Sequence, residues 1–355
     1  MSENTLYFAQ FDEAVHDGGA ARNQAFFRYY KRKGAEVYNV FEASKVKRIF
    51  KLLFVLRVLL LSRKKTLFFH QGTIVFLFPL SLVKLKMVNY LLFSFLQRVA
   101  NKNRLIIEVN DLPYEQAIDL ELPFDNFIEE YQARMYGLRN CYYIFASGEM
   151  ALYAKTMFNI DDEHAEVIVN GGDRLPETPS VQNLNFPAGK YKCVYAGTLN
   201  KGRQVESLIS LFHDLPDLCL ILLGDWGEWL LEYSLPDNVV YLGNKSNTEA
   251  RRIVSACDLG LIQYDSSRFY YNLCFPTKVS FYLTAGIPVL STPLTELMAH
   301  FRNSEGVFFL DIDHWPEFLR SLDENSLAKG KVGAVRDSVG YEWSNLLSNS
   351  RFLDN

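Results

Sequence analysis

The sequence predicts an α/β protein built from two Rossmann-like domains. Three observations carry this. Short apolar runs alternate with runs of helical length, the pattern of parallel strands joined by crossover helices. The 355 residues suffice for two cores of ordinary size. The alternation is broken at Leu175-Pro176-Glu177-Thr178-Pro179-Ser180, whose composition is that of a linker. The domains are accordingly placed at residues 1–174 and 190–337, with 175–189 as the linker.

In the first domain, residues 6–9 read as a strand, followed by a loop through His16-Asp17-Gly18-Gly19-Ala20-Ala21-Arg22, a helix over 22–33 closed by Gly34, and a strand over 36–41. Strand, glycine-rich loop, helix, strand is a Rossmann-like opening. The full Gly-x-Gly-x-x-Gly fingerprint is missing, so a dinucleotide site is not expected. Residues 45–61 have helical length and are apolar and basic together, 66–70 are strand-like, and 77–100 form a second apolar, basic segment. Residues 104–109 read as a buried parallel strand running into Asn110-Asp111-Leu112-Pro113, a proline-marked turn. Polar groups at the carboxyl end of such a strand face a ligand crevice, so Asp111 is either a ligand-facing carboxylate or a turn cap. A helix over 126–138, a strand over 142–146, a helix opened by Ser147-Gly148-Glu149 and ending near Phe158, and the apolar run before Asn170-Gly171-Gly172 complete the domain.

The second domain opens with an apolar strand that enters Gly197-Thr198-Leu199-Asn200-Lys201-Gly202-Arg203, a glycine turn with a cationic pair before a helix over 205–212. Glycine lets backbone amides approach a phosphate closely, and Lys201 and Arg203 would supply charge. Further strands end at Gly224-Asp225-Trp226-Gly227, at Gly243 and at Gln263-Tyr264-Asp265. The domain is organised around residues 271–291. Here Pro276-Thr277-Lys278 stands where a helix begins, Gly286 stops that helix, and Ile287-Pro288-Val289-Leu290 is a buried strand. Proline tolerates the first helical turn, where the remaining free amides and the helix dipole favour an anion. A last strand over 307–310 and a helix over 315–322 follow.

Composition excludes several classes. A net charge of −4 gives no overall bias toward nucleic acid. Five cysteines, odd in number, widely spaced and mostly in apolar runs, read as buried thiols of a reducing cytoplasm. No Cys-x-x-Cys or His-x-x-x-His spacing marks a metal site, no secretory signal opens the chain, and no apolar run reaches about 18 residues. One asymmetry stands out: between Glu42 and Glu108 there is no acidic residue, while thirteen lysines and arginines fall inside. The two apolar, basic segments therefore suggest a face that meets an anionic bilayer through residues 45–104, against the plainer reading of two core helices with basic edges.

Taken together, Asn272, Pro276-Thr277-Lys278, Tyr282-Leu283 and Gly286-Ile287-Pro288-Val289 resemble the (Asn)…Pro-x-Lys…Tyr-Leu-x-x-Gly-x-Pro-Val segment of GT-B glycosyltransferases, especially bacterial glucosyl- and galactofuranosyltransferases of surface polysaccharide and glycoprotein synthesis. Gly197, Lys201 and Gly202 resemble the Gly-x-x-x-x-Lys-Gly phosphate loop of those enzymes, with three residues instead of four between Gly197 and Lys201, and Val167-Ile168-Val169-Asn170-Gly171-Gly172-Asp173 resembles the close of their first domain. Two departures stand: Phe281 occupies the position where many retaining members hold the ribose with a glutamate, and Asn110 replaces a histidine that touches the donor sugar.

The resemblance implies an interdomain cleft and a C-terminal helix, near Tyr341-Glu342-Trp343, that crosses back so that about 338–355 joins the first domain. It implies a nucleotide-sugar site made of Gly197, Thr198, Lys201, Gly202, Arg203, Gly224, Asp225, Tyr264, Asp265, Asn272, Pro276, Thr277, Lys278 and Tyr282, the last being either a ligand contact or a core residue. Gly18, Gly19, Arg22 and Asn110 are candidates on the acceptor side, although the two glycines also suit a plain turn. Asp111, Glu108, Asp17 and His16 are candidates for a base. The implied reaction moves a sugar from a UDP-sugar to a hydroxyl of a saccharide, lipid-linked or protein-linked glycan without metal or cofactor, at the inner face of the cell membrane. A UDP-sugar epimerase of the same fold and a silent subunit that stabilises an active transferase are the alternatives, and a homo-oligomer is left open.

Overall fold

The computed structural model describes residues 4–10, 18–42, 44–78, 80–174, 186–187, 189–200 and 204–353. The chain divides into two compact units: one comprises residues 1–15, 19–169 and 347–355, the other residues 16–18 and 170–346. The expected linker falls mostly outside the described residues.

The first unit holds a six-stranded parallel sheet made of β1 (Thr5–Ala9), β2 (Glu36–Asn39), β3 (Thr66–His70), β4 (Arg104–Val109), β5 (Cys141–Phe145) and β6 (Ala165–Val167). Its spatial order is β2-β1-β3-β4-β5-β6. The order reverses between β1 and β3, where crossovers leave to opposite sides and open a crevice beyond the carboxyl ends of the strands. β1 and β3 are buried over all but their first residues, with Phe8 stacked on Phe69 at 4.4 Å, as expected for strands covered on both faces. The last residues of the chain pack on this unit: Glu166 accepts from Ser350 Oγ at 2.7 Å and from the Arg351 amide at 2.8 Å, and Arg104 lies over the Tyr142 ring at 4.8 Å while donating to the Phe352 carbonyl.

The second unit has β7 (Tyr191–Ala196), β8 (Leu218–Leu223), β9 (Val239–Tyr241), β10 (Leu259–Ile262), β11 (Val289–Ser291) and β12 (Val307–Phe309), all parallel, in the order β12-β11-β10-β7-β8-β9. Here the reversal lies between β7 and β10. The six residues of β8, Leu-Cys-Leu-Ile-Leu-Leu, are all buried, and each leucine contributes about 1.5–3 kcal/mol by leaving water. Burial also pushes the Cys219 thiol up to about 11, so it is a core residue and not a nucleophile.

Three expectations are corrected. The first helix runs Gly18–Arg32, so Gly18 and Gly19 begin a helix instead of forming an open loop. The apolar, basic segment over 77–100 is broken into two helices, Leu80–Val83 and Lys86–Ala100, and a further helix, Gln71–Leu77, ends where it begins. A helix absent from the sequence reading, Glu324–Ser338, is capped by Asp323, whose carboxylate accepts from the Ser326 amide at 2.7 Å.

Candidate active site

In the second unit the strand exits at the reversal point converge. β7 ends in Gly197 and β8 in Gly224, with φ of +150° and +147°, values that side chains rarely adopt. The Gly197 amide donates to the Leu223 carbonyl at 2.8 Å and the Gly224 amide to the Gly243 carbonyl at 3.1 Å, so the exits of β7, β8 and β9 are laced together. A Cβ on Gly224 would lie 1.8 Å from the Gly197 carbonyl oxygen. Gly224→Ala is therefore expected to displace both turns and cost about 3 kcal/mol or more, read as a fall in Tm with loss of nucleotide binding.

Lys278 occupies the space that Gly197 leaves: a Cβ there would sit 2.6 Å from Lys278 Cε and 2.9 Å from Nζ. The half-buried ammonium donates to Tyr264 Oη at 3.1 Å and lies 4.9 Å and 5.1 Å from the ring centroids of Tyr195 and Tyr264. Tyr264 is in turn stacked on Tyr271 at 4.7 Å. Burial works against the charge, but the three surrounding tyrosines, Tyr195, Tyr264 and Tyr282, outweigh it, and the Lys278 pKa is raised. No carboxylate among the described residues lies within salt-bridge distance of it. A cation held charged in a sheltered place beside strand-exit amides is arranged to meet an anion.

The helix that carries Lys278 is Thr277–Thr284, with Pro276 at its N-cap. It is fixed from two sides. Asn170 Nδ2 donates to the Phe275 carbonyl at 2.7 Å while the Asn170 carbonyl accepts from Ser280 Oγ at 2.6 Å. Arg251, buried, donates to the Asp173 carbonyl and to Thr284 Oγ1, and its guanidinium lies 4.9 Å from the Phe281 ring. Gly172 has room for no side chain here, since a Cβ would lie 2.3 Å from Thr284 Oγ1.

Several residues expected at this site have other work. Tyr282 is fully buried; its hydroxyl accepts from the Ala196 amide at 2.8 Å and donates to the Leu261 carbonyl at 3.3 Å, tying β7 to β10 beneath the site. Asn272 braces a loop, donating to the Ser266 and Arg268 carbonyls and accepting from the Thr295 amide and hydroxyl, each at 2.8–2.9 Å. Asp265 accepts from the Ser267 hydroxyl and amide, and the first of these bonds holds its carboxyl below the ordinary range. Thr198 and Asp225 are half-buried beside the two glycines, and the Asp225 carbonyl accepts from the Leu199 amide. Lys201, Gly202 and Arg203 lie outside the described residues, as do Asp17 and His16.

The first unit has its own crevice. A pocket of about 620 Å³ lies at the carboxyl ends of β1, β3 and β4, with Gln10, Gln71, Asn110 and Asp111 contributed by the strand exits. Asp111 is exposed there, and Asn110 is half-buried. Two other candidates sit elsewhere. Glu108 is fully buried inside β4, where its carboxylate receives Arg22 Nε at 2.5 Å and His70 Nδ1 at 2.7 Å. Arg22 is itself 1% exposed, and its NH1 donates to the Ile168 carbonyl at 2.7 Å. His70 Nε2 reaches Tyr7 Oη at 2.5 Å. Glu108 and Arg22 are thus partners in a buried network, and neither faces the pocket as a base or an acceptor contact. Among the described residues no cluster of His, Cys, Asp and Glu is arranged to hold a metal ion.

Solved structures place this architecture. HepE from Anabaena, crystallised with UDP-glucose, matches with a TM-score of 0.64 and 14% identity over 96% of each chain. The chain has the GT-B fold. Sucrose-phosphate synthase from Thermosynechococcus elongatus matches the GT-B chain with a TM-score of 0.67 and 12% identity, over 97% of this chain and 96% of its own. WaaG, a glycosyltransferase involved in lipopolysaccharide biosynthesis, matches with a TM-score of 0.56 and 11% identity, over 98% and 96%. No protein-family model and no curated protein sequence matches the chain. Within this GT-B chain, Tyr195 beside Lys278, the brace at Asn170, and Gln10 and Gln71 in the pocket were not singled out in the sequence. The two glutamines directly follow β1 and β3, and that position at a strand exit is the signal that could have found them.

Proposed function

We propose that the protein transfers a sugar from a UDP-sugar to a hydroxyl of a glycan acceptor in surface-glycan synthesis. The observation that carries this is Lys278, a charged, sheltered ammonium with no acidic partner among the described residues, set at a helix start against Gly197 where the second sheet's order reverses. Solved structures of the same fold that hold UDP-glucose or UDP support the choice of donor. In the reaction, the acceptor oxygen forms a bond to the anomeric carbon while the bond from that carbon to the β-phosphate oxygen breaks; UDP leaves with the electron pair, and the proton of the acceptor hydroxyl passes to the departing diphosphate or to solvent. Charge grows on the diphosphate as it leaves, and Lys278 with the amides around Thr277 meets it there, stabilising the transition state more than the ground state. That cationic and amide stabilisation is the basis for proposing transfer without a metal. The test is UDP release from UDP-glucose, UDP-galactose and UDP-N-acetylglucosamine, with and without added glycan acceptors and with EDTA. Acceptor-dependent release supports the proposal; UDP binding without turnover would point to the silent subunit.

Membrane docking belongs to the same proposal. The helix Lys45–Leu61 leaves Ile49, Phe50, Leu53, Phe54 and Leu61 more than half exposed, with the exposed Lys47 among them. Met87, Tyr90 and Leu91 of Lys86–Ala100 are also exposed. Apolar side chains edged by cations suit the interface of an anionic bilayer, at about 1 kcal/mol per basic residue near its surface. No helix among the described residues is long and apolar enough to cross a membrane. Co-sedimentation with phosphatidylglycerol vesicles, weakened by salt and by Phe50→Ser, is expected; equal recovery from phosphatidylcholine vesicles would contradict the electrostatic part.

A further inference from the structure

We infer that Gln263 is a positioning residue for the bound diphosphate, kept at some expense of stability so that the start of the helix Val205–His213 holds its place beside Lys278. The role rests on the reading of Lys278 as the diphosphate site. Gln263 directly follows β10, where the order of the second sheet reverses, and it is 4% exposed. Its Nε2 donates to the Gln204 carbonyl at 3.0 Å. The next residue, Tyr264, accepts from Lys278 Nζ through its hydroxyl at 3.1 Å. Two consecutive residues, with Cα atoms about 3.8 Å apart, therefore anchor the helix start and the ammonium to one point of the sheet.

Gln204 is a residue in need of an anchor. It is the N-cap of the nine-residue helix and is held in the left-handed region, at φ +61° and ψ 14°, which residues other than glycine adopt rarely. Its own side chain makes no capping bond. The amides of a first helical turn have no partner within the helix, and with the helix dipole they favour an anion. This helix follows β7, so it starts at the carboxyl edge of the sheet, the edge at which Lys278 stands against Gly197.

Stability alone does not account for the carboxamide. The Gln204 carbonyl already accepts the helical bond from the Leu208 amide at 3.1 Å, so it would keep a partner without Gln263. Gln263 Oε1, by contrast, is buried with no hydrogen-bond partner among the described residues. An unbonded buried acceptor destabilises a fold at least as much as one hydrogen bond stabilises it. An apolar side chain of the same length would serve the core as well or better. What the carboxamide adds is a fixed helix start, which matters where one ligand group must meet two protein groups at once.

Gln263→Met keeps the side-chain length and removes both polar atoms. Calorimetric titration of the full chain with UDP and with inorganic pyrophosphate should show binding about tenfold weaker than wild type, by the same factor for each, because both carry the diphosphate. Uridine, which lacks it, should bind the two proteins alike. Tm without ligand should stay level or rise. In a Lys278→Met background the same substitution should weaken binding by about threefold or less, since the two residues act on one ligand group. Undiminished binding of UDP and pyrophosphate to Gln263→Met would overturn the role, as would a fall in Tm, an equal loss of uridine affinity, or losses that simply multiply in the double variant. The two readings fail separately. Pyrophosphate binding that depends on Gln263, with no preference for UDP, keeps the role and sinks the choice of donor; UDP binding indifferent to Gln263→Met keeps the donor and sinks the role. No binding of either ligand by wild type would overturn both.

Discussion

Replacing Lys278 with alanine should lower affinity for UDP by roughly 10- to 100-fold, since a hydrogen bond to a charged group contributes about 1.5–3 kcal/mol. The loss arises because the ammonium carries the positive charge at this place, while the Tyr264 hydroxyl and the rings of Tyr195 and Tyr264 orient it. Lys278→Met is the sharper variant. Its unbranched side chain keeps the contact against Gly197 and the tyrosine rings while removing the charge. Tm without ligand should therefore change little, and the affinity loss should equal that of the alanine variant. Calorimetric titration reads both. If Lys278→Met binds UDP as well as wild type, the ammonium has no part in holding the diphosphate.

Glu108→Gln should be the most destabilising single change in the first unit. The substitution keeps the shape but leaves Arg22, 1% exposed, as a buried cation without its counter-ion, and breaking such a pair from one side costs about 3–5 kcal/mol. Replacing both partners, as Arg22→Met with Glu108→Leu, should recover much of that loss, because the burial of charge is then removed along with the attraction. The same network sets an acid limit. Burial pushes the Glu108 pKa up, but the Arg22 charge and the His70 hydrogen bond outweigh it, and the carboxyl sits below its ordinary range. Its contribution to stability is therefore fully present above the unfolded carboxylate pKa and is lost as pH falls through the depressed folded value. Melting curves of wild type and Glu108→Gln should converge on acidification; parallel curves down to the acid limit would show that the pair does not couple to folding.

How far the chain could be read before its structure depended on whether the signal was local. The alternation of apolar strands with helices, the glycine stop at Gly286 and the helix start at Pro276-Thr277-Lys278 are local, and each was legible. The helix Glu324–Ser338, absent from the sequence reading, carries Gly330 and Gly333 in its interior. In the structure they are places of close approach: a Cβ on Gly330 would lie 2.9 Å from Pro288, and one on Gly333 would lie 2.5 Å from the Gly306 amide. That requirement comes from tertiary packing and leaves no mark in the local pattern. The same limit explains Glu108 and Arg22, which are 86 residues apart and look in sequence like two polar groups near strand and loop ends. Only the sheet order brings them together. Tyr282 was open between ligand and core, and its two backbone hydrogen bonds at the ends of β7 and β10 assign it to the scaffold. The position of Asn110 and Asp111 at the exit of β4 was legible because the apolar strand ends there in polar residues and a proline turn.

The most direct measurement is thermal stabilisation of the full chain by UDP, GDP, ADP and TDP, each with Mg²⁺ and with EDTA. A ligand that binds only the folded state at about 100 times its Kd adds roughly 2.7 kcal/mol. The account predicts a rise in Tm with UDP that exceeds the others, persists in EDTA and disappears in Lys278→Met. No shift with any of the four nucleotides, or an equal UDP shift in wild type and Lys278→Met, would contradict it.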